Sequence, residues 1–308
     1  MSNSAIYLKK TIKENNITPN KEWMRRKVLS IILWALIPYV YILVALVLSR
    51  YLSSTISTIL AFPLLLAAQR CFQVLVHDSA HFFYSSEPGR NDLLGNYLSA
   101  GFIGMSVPAY RKVHFQHHKN NGSVDDPEYI SMDDIRAQGG LLKLCVTFLL
   151  GLRLFELIKK YYFKPISKNE NRLETVDNVD WLSFTLKLSH IVICQVSLLT
   201  VFLFVDVAHF YLIWIYLAIS ISPLLSRLRF LVEHPERGET TMTTLASIWE
   251  LVFFAPNSFN YHFEHHCWPS VPPYKLRKVH KELANKDFFR SNPGFVGSSF
   301  IKSFIKRG

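Results

Sequence analysis

Twelve histidines occur in 308 residues, and nine of them fall in four places. His77 and His81 enclose Asp78, Ser79 and Ala80. His114, His117 and His118 form an HxxHH run, and His262, His265 and His266 form a second one. His234 stands alone between Glu233 and Pro235. At this histidine frequency, chance supplies one HxxHH roughly 0.02 times per chain. Two such runs beside an HxxxH are therefore a chemical signal. On a helix, positions i, i+3 and i+4 lie near one face, so each box can present its imidazoles on one side of one helix.

Imidazole suits zinc, copper, iron and nickel. Nine histidines exceed the four ligands that one zinc takes, so two ions are implied. The zinc-protease pattern HExxH is absent, and the four cysteines contain no CxxC pair, which argues against iron–sulfur and thiolate–zinc sites. Two ions held mainly by neutral nitrogen fit redox iron doing oxygen chemistry. Two zincs in a membrane hydrolase are the alternative. The candidate ligands are His77, His81, His114, His117, His118, His234, His262, His265 and His266. His190, His209 and His280 read as structural. Ligand histidines usually donate their second N–H to a carboxylate or carbonyl. Asp78, Glu233, Glu264, Asp125 and Asp126 are candidates for that role, although Asp126-Pro127 also reads as a turn.

Something must hold these boxes together, and the apolar residues indicate what. Four stretches lack any charge: about 28–49, 51–69, 188–205 and 207–226. Each approaches the ~20 residues that a membrane helix needs. Arg50 alone separates the first two, and Asp206 alone separates the last two. The expected fold is therefore an all-α integral membrane protein, with four transmembrane helices in two hairpins. Segments 70–187 and 227–308 form a helical cap that carries the boxes, within a single domain over 1–308. The first box directly follows the second span and can extend the same helix. The apolar run from Leu141 to Tyr162 contains Lys143, Arg153 and Glu156, so it reads as an interfacial helix. The polar stretch from Lys164 to Asp180 reads as an exposed connection.

Basic residues set the orientation. Lys9, Lys10, Lys13, Lys21, Arg25, Arg26 and Lys27 precede the first span, and the two hairpin tips are nearly bare. Both termini and the histidine boxes are then cytoplasmic. The net charge of +11 serves topology and lipid headgroups, which removes the main support for a nucleic-acid partner. Arg111, Lys112, Lys119 and the basic C-terminal segment could meet an acyl carrier's phosphate or an acidic donor protein, as well as headgroups.

The boxes and their surroundings resemble the membrane-bound fatty acid desaturase family. HxxxH, HxxHH and HxxHH occur in that order. The run Asn260-Tyr261-His262-Phe263-Glu264-His265-His266, followed by Pro269, Val271, Pro272, Tyr274, Leu276 and His280, is similar to the family's last box. The resemblance covers about residues 28–285. It implies a non-haem di-iron centre, O2 as oxidant and two electrons from a separate donor, a ferredoxin or a cytochrome b5-type protein with its reductase. His234 sits where the family has an isolated extra ligand. Some acyl-CoA desaturases also use an Asn four residues earlier; here that residue is Phe230. The run Arg227-Leu228-Arg229-Phe230-Leu231-Val232-Glu233-His234 looks like bacterial members.

The resemblance implies an O2-dependent desaturase acting on a lipid- or carrier-linked fatty acyl chain. A di-iron hydroxylase or ketolase of a lipid, carotenoid or small metabolite is the alternative, because the same ligands serve both reactions. A non-enzymatic metal-binding membrane protein is disfavoured. It predicts polar ligands near the bilayer midplane, and spans one and two contain no His, Asp or Glu. The expected cavity walls are spans two and four and the segment Leu93 to Pro108.

Overall fold

The computed structural model describes residues 13, 17, 20–123, 125–129, 131–152, 181–234 and 241–307, with backbone alone for 181–187 and 306–307. The expected connection from Lys164 to Asp180 and the second half of the 141–162 helix lie outside the described residues.

The chain is mostly helical. Helix α1 spans Val28–Tyr51 and α2 spans Ser54–Ala80. Both exceed the ~20 residues that cross a bilayer. Ala35, Pro38, Ile42 and Ala45 are the buried residues of α1. Their 3-4-3 spacing forms a seam, and it meets Ala61, Leu65, Ala68 and Phe72 of α2 in one core. Alanines on this seam let the two backbones approach closely, which is how helices associate in lipid. The opposite face of α1 exposes Leu29, Leu33, Leu36, Val40 and Leu43. Those side chains suit hydrocarbon, and no described residue covers them. Pro38 and Pro63 sit inside continuous helices.

Further helices follow: α3 Pro88–Leu98, α4 Val107–Asn120, α5 Met132–Ala137 and α6 Gly140–Leu149. Helix α6 exposes Leu142 and Val146. Helix α7 runs Trp181–Phe204, α8 His209–Ile219 and α9 Ile221–Glu233. Among the described residues, three helices can cross a membrane by length and composition: Val28–Tyr51, Ser54–Ala80 and the joined His209–Glu233. The apolar part Leu188–Phe204 is shorter.

The expected fourth span, 207–226, is corrected in two respects. It continues to Glu233, and it breaks at Ser220. Pro223 has no N–H to offer the Ile219 carbonyl, and the Ser220 amide and hydroxyl both bond to the Tyr216 carbonyl. The extension carries the chain directly to His234.

The last part contains α10 Ile248–Phe254, α11 His262–Cys267, α12 Pro273–Ala284 and α13 Phe300–Arg307. Two-residue strands β1 Thr243–Thr244 and β2 Val296–Gly297 pair in parallel, Thr243 with Val296 and Thr244 with Gly297. Arg70, 1% exposed, ties these parts to the membrane helices. Its guanidinium donates to the carbonyls of Phe253 (2.7 Å), Phe254 (2.8 Å) and Ser222 (3.1 Å) and to the side chains of Gln73 and Ser226. One buried residue thus locks α2, α9 and the end of α10 at the level where α2 leaves its charge-free stretch.

Candidate metal centre

Helix α2 runs unbroken from its apolar half into the first histidine box. His77 lies in its last turn and His81 is its C-cap. The turn that ends α2 is held by Arg111 of α4. Its Nε donates to the Ala80 carbonyl at 2.9 Å, another nitrogen donates to the Ser79 carbonyl at 3.1 Å, and the group also pairs with Asp92 of α3. Arg111 is thus engaged inside the fold, whereas Lys112 and Lys119 are exposed. Helix α4 carries His114, His117 and His118, and α11 carries His262, His265 and His266. His234 is the C-cap of α9.

The nine boxed histidines converge in two groups. His77, His81, His114, His118 and His265 form one, and His117, His234, His262 and His266 form the other. Within each group the possible ligand atoms all lie within 4.8 Å of one another. The boxes do not map one-to-one onto the groups. Each i, i+4 pair stays together: 77 with 81, 114 with 118, and 262 with 266. The i+3 histidines, His117 and His265, each join the opposite group.

The carboxylates follow the same division. His77 Nδ1 is 3.0 Å from Asp78, and His114 Nδ1 is 3.7 Å from Glu128. In the second group, His117 Nδ1 is 2.9 Å from both oxygens of Asp126, and His262 Nδ1 is 3.7 Å from Glu233. Glu233 in turn pairs with Arg229 at 2.9 Å. Asp78, Glu233 and Asp126 therefore stand where the residue pattern suggested. Asp126 also makes the expected turn, accepting from the Gly122 and Glu128 amides.

Two expected carboxylates do not back a boxed histidine. The Asp125 amide donates to Ser123 Oγ and its carbonyl accepts from Asn120, in an exposed turn. Glu264 faces away from the groups: it accepts from Thr243 and lies 2.6 Å from His280 Nδ1. It fixes α11 against β1 and α12, and it gives His280 the structural role expected of it. His190 and His209 likewise bond outside the groups, to the Met105 carbonyl and to Thr58. Glu128 was not anticipated. The only sequence hint is its position two residues after Asp126 in the same turn.

Electrostatics keep the imidazoles neutral. Burial, and then repulsion from neighbouring imidazoles, hold His81, His118, His234, His262, His265 and His266 well below the usual histidine range. Burial also lowers His114, with Glu128 opposing. Burial alone would raise Glu128; its bond and attraction to His114 bring it down to about 2.

The inner nitrogens crowd one another. His114 Nε2 lies 3.0 Å from both His81 Nε2 and His118 Nε2, and His265 Nε2 is 3.2 Å from His118 Nε2. In the second group, His262 Nε2 is 2.9 Å from His234 Nε2 and 3.1 Å from His266 Nε2. A neutral imidazole has one N–H. Where Nδ1–H donates to a carboxylate, Nε2 offers only a lone pair. His77 Nε2 is buried with no hydrogen-bond partner among the described residues. Converging lone pairs need a cation. Two nitrogens about 2.1 Å from one ion and at right angles to each other are about 3.0 Å apart, matching the observed separations. The residues present fit two first-row metal ions.

A cavity of about 540 Å³ opens beside the first group. Its walls include Gln73, Val74 and His77 of α2, Ile103 and Met105, and Pro223, Ser226 and Phe230 of α9. These are the expected walls, with Tyr110, Glu128, Phe148 and Phe259 added. Phe230 stacks on His234 with centroids 4.3 Å apart, so an aromatic ring fills the place where an Asn contact is not available.

The sequence pattern of the fatty acid desaturase family matches residues 52–292, which include all four histidine positions. The chain belongs to this family. The sphingolipid delta(4)-desaturase DES1 of Drosophila melanogaster is 26% identical over 276 residues, covering 81% of this chain and 75% of that protein. The chain is accordingly an oxidoreductase of the desaturase type, with apolar helices and histidine clusters compatible with a membrane iron enzyme.

Proposed function

We propose that this desaturase introduces a double bond into a fatty acyl or alkyl chain of a lipid or carrier-linked substrate, using O2 and two iron ions. The observation that carries this is the pair of histidine groups, each with its ligand atoms within 4.8 Å. His77, His81, His114, His118 and His265 would hold one ion. His117, His234, His262 and His266 would hold the other. When bound, the irons supply the reductive activation of O2 that removes two hydrogens from adjacent carbons.

The protein's own contribution is support and shape. Asp78 and Asp126 accept from imidazole Nδ1 groups, and Glu128 and Glu233 lie 3.7 Å from two more, so the carboxylates favour outward N–H groups and leave the inner lone pairs available. The cavity beside His77 offers Val74, Ile103, Met105, Phe148, Phe230 and Phe259 as apolar surface for a chain. The relative's name concerns a sphingolipid, which supports a lipid substrate here. Two electrons must come from a separate protein, a ferredoxin or a cytochrome b5-type protein with its reductase.

We place the metal groups and both termini on the cytoplasmic side. Arg25, Arg26 and Lys27 before α1 support this by the positive-inside rule, as do the near-bare tips with Arg50 and Asp206.

Metal analysis of the purified protein tests the proposal. About two irons per chain are expected, with loss when His117 or His265 becomes Ala. Zinc alone after anaerobic expression would overturn it. Product analysis under 18O2 separates desaturation, which leaves no label in the lipid, from hydroxylation.

A further inference from the structure

Resting on the desaturase reading above and deepening it, we propose that Gln73 is a specificity-determining hydrogen-bond donor in the substrate cavity. The cavity then takes a lipid with an acceptor oxygen, carbonyl or hydroxyl, only a few bonds from the carbons that are oxidised.

Arg70, Gln73, Val74 and His77 all line the cavity. Their i, i+3, i+4, i+7 spacing is one face of α2. Gln73 therefore sits one turn before His77, about 6 Å along the axis.

The orientation of its amide follows from its partners. Gln73 Oε1 accepts from Arg70 Nη1, and from Ser226 Oγ at 3.1 Å. A guanidinium has only donors, so the amide oxygen, not the NH2, must face Arg70. Arg70 cannot easily move, since it is buried, its Nε and Nη2 donate to the Phe253 and Phe254 carbonyls, and Nη1 also reaches the Ser222 carbonyl. The amide NH2 is thereby turned away from α9. No hydrogen bond from it is found among the described residues.

Val74, Ile103, Phe230 and Phe259 share this lining, and so do Arg227 and Arg229, whose guanidiniums are engaged by the Glu128 carbonyl and by Glu233. A polar group in an apolar site sets orientation when matched and penalises a ligand that leaves it unmatched. A bare hydrocarbon segment lying across Gln73 would strip its NH2 of water and return nothing. An oxygen there would pair with it. At about 1.5 Å per bond, one helical turn separates that oxygen from His77 by roughly three to five bonds. The geometry therefore favours oxidation near a polar head over oxidation in the middle of a long chain.

The test uses full-length, iron-loaded protein in detergent, with a ferredoxin and its reductase as electron source. Two probes are supplied: a saturated phosphatidylcholine and a saturated N-acyl amino-diol lipid. Product double bonds are located by mass spectrometry, and KM and kcat are measured separately. Gln73→Glu keeps an acceptor for Arg70 and Ser226 but lacks the amide donor. Gln73→Met removes both. The expected wild-type double bond lies within roughly five bonds of an oxygen-bearing carbon. Both variants should raise KM about ten-fold or more, with smaller effect on kcat, unchanged iron content and a more scattered bond position. Wild-type KM and bond position in both variants would overturn the proposal. So would a wild-type double bond in mid-chain, or loss of iron from both variants, which would make Gln73 part of the metal support. No oxidised product from iron-loaded wild type with either lipid would instead overturn the desaturation chemistry on which the proposal rests.

Discussion

The two histidine groups differ in what carries them and in what they face. The five-membered group is anchored on α2, a helix that begins deep in the apolar hairpin and ends at His81. The four-membered group has no residue on α2. It draws on α4, α11 and the C-cap His234 of α9. The substrate-sized cavity reaches His77, and a pocket of about 20 Å³, large enough for about one water, reaches His81 and His265. Neither cavity is lined by a member of the four-membered group. There Phe230 stacks on His234, and Arg229 lies 3.9 Å over the Phe259 ring. Similar ligand chemistry is thus given two surroundings: His77 of the five-membered group lines the large cavity, and His234 of the four-membered group stacks against Phe230. Substrate is expected to be positioned from the five-membered side.

Breaking the link between the groups should have the largest effect. His117 and His265 each rise from a helix dominated by the opposite group's pair. His265→Ala should remove a ligand from the five-membered group and disturb α11, which supplies His262 and His266. Iron per chain is expected to fall below one and desaturation to be lost, as read by metal analysis and product assay. His81→Ala, at the end of α2, should spare the four-membered group and leave about one iron.

The supporting carboxylates sharpen the comparison at the next level. Asp126→Asn should weaken metal binding at the four-membered group about 10- to 100-fold, and Asp78→Asn should do the same at the five-membered group. Metal titration of the two variants would show loss of different halves of the iron. Equal loss from both halves in each variant would mean that the groups act as one.

Acid should release metal from both groups and destabilise the metal-free protein. The buried histidines titrate below their unfolded value of about 6.5. Below that pH the unfolded chain binds more protons than the folded chain, so stability falls as pH drops. Chelator-treated protein should show a declining melting temperature below about pH 6.5, and iron-loaded protein should resist to lower pH.

The smallest effect is expected far from either group. Glu250 caps α10 through Ser247, and also accepts from Ser299 Oγ (2.6 Å) and the Ile301 amide (3.0 Å) at the start of α13. Burial would raise its carboxyl, but these bonds bring it to about 2. The stability it contributes is present above its unfolded value of about 4.5 and is lost as pH falls toward 2. Glu250→Gln should cost about 1–3 kcal/mol in unfolding measurements and leave the iron content unchanged.

Much of this was legible in the sequence because the signals are local. Charge-free runs report α1, α2 and the hairpin with α7 and α8, since lipid tolerates few charges. The continuation of α2 into His77 follows from uninterrupted helical residues. Other features were not legible because they depend on distant neighbours. Glu264 sits inside a histidine box, so it reads as support for a ligand. Yet on a helix its side chain points away from His262 and His266, toward Thr243 and His280. Glu128 looks like an ordinary surface acid until α4 folds back over its turn. Arg111 looks like a surface cation until it is seen closing the end of α2.

The residue order alone determined that eight histidines stand at helical spacings with a ninth, His234, apart from them, beside helices suited to a membrane, and that two metal ions fit them better than one. Only the tertiary structure decided which histidine joins which group. At 100° per residue, positions i and i+4 point about 40° apart, while i+3 lies about 60° to the other side of i. An HxxHH helix therefore offers a pair in one direction and a single imidazole in another. Whether that single imidazole meets a second site depends on what stands opposite. Here α4 and α11 face each other between the ends of α2 and α9, so His117 and His265 cross over and join the two groups into one centre.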